Sequence, residues 1–300
     1  MKTSASGVRN ARNRRQPDVS EGGNGDLESD TLVCSAPPGS RVPLERLLPR
    51  VIGHRGAAAC APENTLAGLR EAKALDCRWV EFDVRLTADA QPILLHDERL
   101  ERTTDGSGKV IALPLATIRR YDAGYRFDAR FRGEPVPTLA DALAVLAELG
   151  LSANIEMKAA RGHEAETGTL VAAMLSRLWP RTLPGPLISS FDQGALRAAQ
   201  TRAPEIARGL LFRRVAKNWR DVAESLACST IHADHRYLSA ALVGKIRAAG
   251  YPVLAYTVNV ISRAQILFGW GVTSVFSDVP HMLSGATRPN LAGAPEGAVR

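Results

Sequence analysis

Short strand-like runs alternate with alanine- and leucine-rich helical segments along most of this chain, and this alternation restricts the possible fold more than any other feature. Nine runs rich in apolar and β-branched residues are strand candidates, at residues 51–55, 79–84, 93–96, 153–157, 187–190, 208–212, 229–233, 253–258 and 273–277. Strands that alternate with helical segments are typical of parallel β/α units. The pattern therefore predicts an α/β fold built on a parallel sheet.

One of the nine runs cannot be a parallel strand. Only the polar segment 87–91 lies between the second and third runs, whereas a parallel crossover needs about a dozen residues or more. We therefore expect run 93–96 to fold back as a hairpin. Eight parallel candidates then remain in about 240 residues, which is the strand count and size of a (β/α)8 TIM barrel. A doubly wound open sheet shows the same alternation, and without a strong internal repeat it remains the alternative.

Helix-capping signals fit this spacing. Thr138 with Asp141 forms a capping-box pattern for a helix that we expect to stop at Gly150. Ser262 with Gln265 predicts the start of another helix near the end of the chain. These signals place helices between the last strand candidates, as a barrel requires.

Composition divides the chain into segments. Residues 1–46 are rich in Ser, Gly, Asn, Asp, Glu and Arg, so we expect a disordered polar and basic tail. We expect the TIM-barrel domain over residues 47–284 and a flexible C-terminal tail over residues 285–300. Residues 98–137 interrupt the alternation and predict a small insertion after the second histidine described below. Because long structureless loops are uncommon in compact domains, this insertion should be functional or contain short elements.

The overall composition argues against several classes of protein. The formal net charge is +7, with part of the excess in the N-terminal segment, but aromatic residues make up only 5% of the chain. That content is low for a protein that stacks single-stranded bases, so we expect no nucleic-acid partner. No stretch approaches about 18 apolar residues, so we expect no stable membrane insertion. The cysteines form no C-x-x-C pair and the first residues contain no apolar leader, which favours a cytoplasmic protein. The oligomeric state stays unknown.

Two histidines and three carboxylates lie at or near the predicted strand ends, where a β/α barrel has its active site. His54 and His96 each follow an apolar run, and Glu81 and Asp83 are two positions apart on one strand, so they share a face. Glu156 belongs to the next barrel strand. Three carboxylates facing one cavity repel each other unless a cation lies among them. Oxygen ligands favour Mg²⁺ or Ca²⁺ over zinc, so the sequence predicts a site for one such divalent cation.

Positive side chains lie next to the same positions. Arg55 and Lys158 would favour an anion such as a phosphate diester beside the predicted cation. His54 and His96 would then flank the bound group, one taking a proton from the attacking oxygen and the other protonating the leaving alcohol. Each histidine alone could merely cap a strand end, but the neighbouring carboxylates favour the acid/base interpretation. The sequence does not decide which histidine is the acid.

These residues belong to eight short motifs between residues 51 and 280. The motifs are His54-Arg55-Gly56, Pro62-Glu63-Asn64-Thr65, Glu81-Phe82-Asp83-Val84, Leu95-His96-Asp97, Glu156-Met157-Lys158, Ser189-Ser190-Phe191, Tyr256-Thr257-Val258-Asn259 and Ser277-Asp278. In residue types and in order, the set resembles the glycerophosphodiester phosphodiesterase family of the bacterial cytosolic type. Each motif is weak by itself, whereas the ordered set is highly specific.

The resemblance implies a TIM barrel related to phosphatidylinositol phospholipases C, with an insertion after the second histidine. It implies metal-dependent hydrolysis of glycerophosphodiesters, such as glycerophosphocholine or glycerophosphoethanolamine, to sn-glycerol 3-phosphate and an alcohol. The substrate is thus a small molecule. By motif position, it assigns acid/base catalysis to His54 and His96, phosphate binding to Arg55 and Lys158, and metal ligation to Glu81, Asp83 and Glu156.

Four further residues are candidates for a supporting role. Glu63 matches a family glutamate near the site, but it could equally be a residue at a helix start. His232 ends the sixth barrel strand and either faces the site or is a hydrogen-bonded core histidine. Tyr256 could contact the leaving alcohol, and Asn259 lies in the same motif.

Two other functions remain as alternatives. A phospholipase C-like or D-like enzyme would act on intact lipids and must approach a bilayer, yet the chain shows no obvious amphipathic membrane helix. A non-catalytic phosphodiester-binding barrel would belong to a different class of protein. Competent side chains at every expected catalytic position argue against it.

Overall fold

The computed structural model describes residues 43–283, so the tail predicted at 285–300 and nearly all of that predicted at 1–46 lie outside the described residues. The strands are β1 Val51–Gly53, β2 Trp79–Leu86, β3 Pro92–Leu94, β4 Ser152–Met157, β5 Leu187–Ser190, β6 Ala207–Phe212, β7 Thr230–Asp234, β8 Val253–Tyr256 and β9 Ser274–Ser277. The α-helices are α1 Leu44–Leu47, α2 Leu66–Ala74, α3 Leu115–Ile118, α4 Leu139–Leu149, α5 Glu164–Leu178, α6 Gln193–Arg202, α7 Trp219–Ser225, α8 Ala240–Ala248, α9 Ile261–Gly269 and α10 Pro280–Leu283. Helix α1 begins within the last residues of the predicted tail, and the domain limits at 47 and 284 stay a prediction.

Eight parallel strands close into a barrel in the order β1, β2, β4, β5, β6, β7, β8, β9. Strand β1 closes the ring because it pairs with β9 at Val51 and Val275 and with β2 at Gly53 and Val80. The predicted (β/α)8 fold is confirmed, and the open-sheet alternative is wrong because an open sheet leaves its first and last strands unpaired. Strand β3 runs antiparallel to β2, with Val84 opposite Leu94, so the predicted hairpin is also confirmed.

One helix-capping prediction holds and one does not. Asp141 N donates to the Thr138 hydroxyl, Thr138 N donates to the Asp141 carboxylate, and Gly150 ends α4 at φ +65°. This is the predicted capping box with its left-handed stop. Helix α9 instead begins after Val260, which has the extended cap conformation at φ −117° and ψ 123°. Ser262 is therefore inside the first turn and does not cap it.

The hydrophobic core surrounds the barrel and also fills its amino end. The strand residues that point outward pack against the helices in one large cluster of buried side chains. A separate cluster inside the barrel contains Trp79 and Leu187, the first residues of their strands, together with Ile52 and Leu254. Leu48, which follows α1, packs onto this cluster. The amino end of the barrel is thus apolar, which leaves the carboxyl end for polar side chains.

The insertion over residues 98–137 is a packed unit with elements of its own. Besides α3, it contains two 3₁₀ turns, Val110–Ala112 and Ala129–Phe131. Its buried side chains pack onto the β3 hairpin through Ile93 and Leu95. His96 and Asp97 follow Leu95 directly, so the hairpin and the insertion together fix their position. Within residues 43–283, no helix is both long and apolar enough to cross a membrane.

Candidate active site

A cavity of about 440 Å³ opens at the carboxyl ends of the barrel strands. Its walls bring together six of the seven residues that the sequence predicts for catalysis and binding, namely His54, Arg55, Glu81, His96, Glu156 and Lys158. The seventh, Asp83, is buried directly beside them, with its Oδ1 atom 3.5 Å from the Lys158 Nζ atom. Of the four supporting candidates, His232 and Tyr256 line the same cavity.

Three buried carboxylates, those of Glu81, Asp83 and Glu156, form the acidic part of the cavity. The parallel register of β2 and β4 places Asp83 opposite Glu156, and Glu81 lies two positions before Asp83 on the same face. One oxygen from each of the three carboxylates lies within 4.8 Å of the others. Burial, followed by the charges of neighbouring carboxylates, raises the pKa values of Glu81 and Glu156. The Glu81 Oε1 atom is buried and accepts no hydrogen bond, so this oxygen-rich group fits a hard divalent cation.

Asp83 differs from its two neighbours in the direction of its pKa shift. Burial acts to raise its pKa, but the positive charges of Lys158 and Arg55 outweigh burial and lower it. Asn64 fixes its orientation by a reciprocal pair of bonds: the Asn64 amide donates to Asp83 Oδ2 at 2.9 Å, and the Asp83 backbone N–H donates to Asn64 Oδ1 at 2.9 Å. Asp83 is therefore an ionised group in a fixed position.

Two positively charged side chains, Arg55 and Lys158, contact this acidic group and line the cavity. The Lys158 Nζ atom is 2.6 Å from Glu156 Oε1, and the Arg55 Nε atom is 3.4 Å from Asp83 Oδ2. The Arg55 guanidinium also donates to Glu63 Oε1 at 2.8 Å. Burial acts to lower the pKa values of Arg55 and Lys158, but the carboxylates outweigh it and raise both. Both side chains stay charged and present their donors to the cavity.

His54 is oriented by a carboxylate from the last barrel strand. Its Nδ1 atom lies 2.6 Å from Asp278 Oδ1, and its Nε2 atom lies 3.8 Å from Glu81 Oε2. Asn259 holds Asp278 in turn, since its amide donates to Asp278 Oδ2 at 2.7 Å and its Oδ1 atom accepts the Asp278 backbone N–H at 2.9 Å. A carboxylate at Nδ1 favours a proton on that atom. The Nε2 atom is thereby left for proton transfer on the cavity side.

His96 has a matching carboxylate partner. Its Nδ1 atom lies 2.6 Å from Asp97 Oδ1, and Arg102 donates to the other oxygen of Asp97 at 2.5 Å. The same Arg102 makes a two-pronged contact with both oxygens of Glu63, at 2.6 and 2.7 Å. Because Glu63 also binds Arg55, an unbroken chain of ionic contacts joins the predicted phosphate ligand to the predicted proton donor or acceptor. Burial lowers the pKa of His96, which favours its neutral form.

Glu63 lies beside the site, between two arginines. Helix α2 begins at Leu66 with Thr65 as its cap, and the Glu63 side chain lies between the guanidinium groups of Arg55 and Arg102. Glu63 is therefore a member of the ionic chain beside the site. Opposing guanidinium charges lower its pKa despite its burial, so it is ionised.

His232 and Tyr256 form part of the cavity wall on the far side. His232 is fully buried in the middle of β7, with Nε2 2.9 Å from the Thr230 hydroxyl, so it both faces the cavity and is a hydrogen-bonded core residue. Burial lowers its pKa to about 3. The Tyr256 hydroxyl donates to the Phe212 carbonyl at 2.9 Å, which fixes the ring in the wall.

Four residues that orient the site were not assigned from the sequence. They are Asn64, Asp97, Arg102 and Asp278, and all four hold another side chain in place through a hydrogen bond. Three of them lie inside the recognised motifs, so the motifs carried a signal for them. Arg102 lies outside the motifs, and only the folded insertion brings it to Glu63.

A (β/α)8 barrel whose carboxyl-end cavity holds carboxylates, cations and anchored imidazoles is typical of an enzyme that acts on an anionic substrate. Comparison with known proteins narrows this class. A model of the glycerophosphoryl diester phosphodiesterase family matches residues 54–282. The chain belongs to this family, and it is a phosphoric diester hydrolase of the glycerophosphodiester phosphodiesterase type.

Individual relatives agree with this assignment. A glycerophosphodiester phosphodiesterase from Caldanaerobacter subterraneus subsp. tengcongensis is 30% identical over 243 residues, which cover 79% of this chain and 97% of the relative. One from Bacillus subtilis is 31% identical over 269 residues, covering 84% and 90%. Among solved structures, a phosphodiesterase from Oleispira antarctica in complex with the product sn-glycerol-3-phosphate is 40% identical, with a TM-score of 0.78 over 80% of this chain and 97% of that chain.

Replacement of Arg102 by alanine should lower kcat by about tenfold with little change in KM, because Asp97 and Glu63 lose the group that holds them. Turnover of a glycerophosphodiester, measured as release of glycerol 3-phosphate, tests this. Arg99→Ala is the matched control, since Arg99 lies on the same insertion and its exposed guanidinium pairs with Glu101. Partial recovery in Arg102→Lys would support a positioning role, whereas unchanged kcat in Arg102→Ala would contradict it.

Replacement of His232 by glutamine should make folding less sensitive to acid. The pKa of His232 is about 3 in the folded protein against an ordinary value of 6.5, so below about pH 6.5 only the unfolded state takes up the proton. This destabilisation is absent above pH 6.5 and grows as the pH falls. Between about pH 7 and pH 5, the wild type should lose about 2 kcal/mol more unfolding free energy than the variant.

Urea unfolding at the two pH values measures this difference. His163→Gln is the control, because the His163 side chain is 43% exposed and pairs with Glu166 at the start of α5. Equal pH dependence in the wild type and in His232→Gln would show that His232 takes up its proton in the folded state.

Proposed function

We propose that this enzyme hydrolyses glycerophosphodiesters, such as glycerophosphocholine or glycerophosphoethanolamine, to sn-glycerol 3-phosphate and an alcohol, with His54 and His96 as the acid/base pair. One observation carries the proposal: two imidazoles, each with a carboxylate 2.6 Å from Nδ1, line a cavity that also contains an acidic cluster and two cations. The Oleispira antarctica relative, whose structure contains sn-glycerol-3-phosphate, supports the same product class.

In this proposal, Glu81, Asp83 and Glu156 would hold one divalent cation, Mg²⁺ or Ca²⁺. The mutual proximity of the three carboxylates, the raised pKa of Glu81 and its buried, unpartnered Oε1 atom support this assignment. When bound, such an ion would polarise a phosphoryl oxygen and neutralise charge that develops there. Oxygen ligands alone do not select between the two ions.

The side chains of the protein supply binding and proton transfer. Arg55 and Lys158 would bind the non-bridging phosphate oxygens, since both are charged and both line the cavity. One histidine would remove a proton from the attacking oxygen, and the other would protonate the oxygen of the departing alcohol. An alkoxide is a poor leaving group, so the second transfer is essential. The carboxylates at Nδ1 keep both rings in the tautomer and orientation that this exchange needs.

The two alternatives gain no support. The two relatives described above, which each align with about four fifths of this chain, are named glycerophosphodiester phosphodiesterases and not enzymes of intact lipids. A non-catalytic barrel would not need two imidazoles that line the cavity and are each anchored at Nδ1 by a carboxylate. We also propose a cytoplasmic location, which is consistent with the free thiols of Cys60, Cys77 and Cys228.

Removal of the cation should abolish turnover. Release of glycerol 3-phosphate from glycerophosphocholine, followed with a coupled assay, should stop after treatment with chelator and recover with Mg²⁺ or Ca²⁺. Glu81→Gln should raise the cation concentration needed for half-maximal activity by about tenfold or more, because one ligand loses its charge. Full activity in chelator, or an unchanged midpoint in Glu81→Gln, would contradict the assignment.

Each catalytic histidine should be individually essential. His54→Gln and His96→Gln should lower kcat by about 100-fold or more, the usual contribution of a positioned acid or base, while the thermal midpoint stays close to that of the wild type. His163→Gln, at an exposed position that pairs with Glu166, serves as the matched control. Retention of near-normal kcat in either catalytic variant would exclude that histidine from the reaction.

A further inference from the structure

Three arginines form a group beside the active-site cavity that the proposed reaction does not use. We call Arg213, Arg214 and Arg236 the arginine rim. Arg213 and Arg214 follow the end of β6, and Arg236 follows the end of the neighbouring strand β7. Their guanidinium carbons lie 5.9, 4.0 and 5.9 Å from the centre of the Tyr237 ring. Three like charges are thus gathered around one aromatic side chain.

The charge of this rim is only partly neutralised. The Asp234 carboxylate binds the Arg236 guanidinium, with Oδ2 2.6 Å from the nearest nitrogen. Within residues 43–283, no carboxylate lies within 4.0 Å of Arg213 or Arg214, and both side chains are exposed. Two uncompensated guanidinium groups in this small region create a positive potential that attracts an anion.

The arginine rim borders the active-site cavity. Arg236 and His235 line its wall. Tyr256 lines it too, and its hydroxyl binds the carbonyl of Phe212, the residue immediately before Arg213. The positive charges of Arg213 and Arg236 both act on the Tyr256 hydroxyl and oppose the rise in its pKa that burial causes. The rim is thus close enough for a bound molecule to reach.

The strand order places the rim opposite the catalytic groups. In the closed ring, β6 is four strands from β1, and β7 is four strands from β2. His54 and Arg55 follow β1, and Glu81 and Asp83 belong to β2. A phosphodiester held by Arg55 and Lys158 would therefore extend one of its two substituents across the cavity toward the rim.

The chemistry of the rim favours an anionic substituent over a cationic one. Guanidinium groups present paired donors that match the oxygens of a carboxylate or phosphate. A quaternary ammonium group is recognised instead by exposed aromatic faces. Here the Tyr237 ring already has the Arg214 guanidinium 4.0 Å from its centre. A choline group on this side would meet positive charge.

We propose that the arginine rim is a subsite for a second anionic group, a carboxylate or phosphate carried on the substrate beyond the scissile phosphate. The enzyme then prefers glycerophosphodiesters whose alcohol carries a carboxylate or phosphate to those whose alcohol carries no anionic group. This inference rests on the proposed function, because it concerns which members of that substrate class are turned over best.

Two substrates that differ by a single carboxylate test the proposal. Glycerophosphoserine is glycerophosphoethanolamine with one carboxylate added, and both release glycerol 3-phosphate. In the wild-type enzyme at low ionic strength, kcat/KM should be about tenfold higher for glycerophosphoserine. The ratio should fall as salt is added, because the rim is exposed and its charges are screened.

The double variant Arg213→Gln with Arg214→Gln should bring this ratio close to one. A control removes the same charge elsewhere: Arg181 lies in the loop before β5, and Arg202 lies in the last turn of α6 before β6, so both are at the amino end of the barrel. Arg181→Gln with Arg202→Gln should keep the wild-type ratio. Thermal midpoints of both double variants show whether the fold is intact.

The outcomes separate this proposal from the one on which it rests. Turnover of both substrates at equal kcat/KM, or an undiminished preference in the rim variant, overturns the anion subsite and leaves the phosphodiesterase function standing. Turnover of neither substrate by metal-loaded enzyme overturns the function and the subsite with it. Co-sedimentation with phosphatidylserine vesicles that the rim variant loses, combined with a ratio of one, would make the rim a membrane contact and overturn the subsite.

Discussion

The repulsion among three buried carboxylates is the constraint on which the rest of this active site depends. The parallel pairing of β2 with β4 forces Asp83 and Glu156 into register, and the two-residue repeat of a strand adds Glu81 on the same face. Their burial would be unfavourable without compensating charge. Arg55 and Lys158 supply part of that charge, and the raised pKa values of Glu81 and Glu156 show that these two cations do not supply all of it. A divalent cation is the compensation that these oxygens fit.

The same need for compensation explains why the site extends beyond the cavity. Arg55 is shared between Asp83 and Glu63, and Glu63 is shared between Arg55 and Arg102. Arg102 then holds Asp97, which holds His96. Each charged side chain between Asp83 and His96 is paired on both sides, so none of them can turn without leaving a neighbour unpaired. The insertion carries Arg102, and its buried side chains pack onto Leu95, the residue directly before His96, so its core fixes both ends of this contact.

Much of this arrangement could be predicted from the sequence, and the remainder depends on contacts that sequence spacing does not reveal. The strand count, the hairpin at 93–96 and the capping box at Thr138 follow from local patterns, which are largely independent of the rest of the fold. The proximity of His54, Glu81 and Lys158 in one cavity could be predicted, because all three lie at or near the carboxyl ends of barrel strands. Arg102 and the arginine rim could not be predicted this way. Glu63 and Asp97, the partners of Arg102, lie in loops, and Arg213 and Arg214 lie in the loop that follows β6. In loops the path of the chain is set by tertiary packing and not by periodicity.

The pairing of His54 with Asp278 joins the completion of the barrel to the completion of the active site. These two residues are 224 positions apart in the sequence. They meet because β1 pairs with β9, and the His54 backbone N–H donates to the Ser277 carbonyl at 2.8 Å directly beside the imidazole contact. An incompletely closed barrel would leave His54 without the carboxylate that sets its tautomer. The pairing of β1 with β9 therefore both closes the ring and supplies the carboxylate that orients His54, one of the two histidines that we propose for acid/base catalysis.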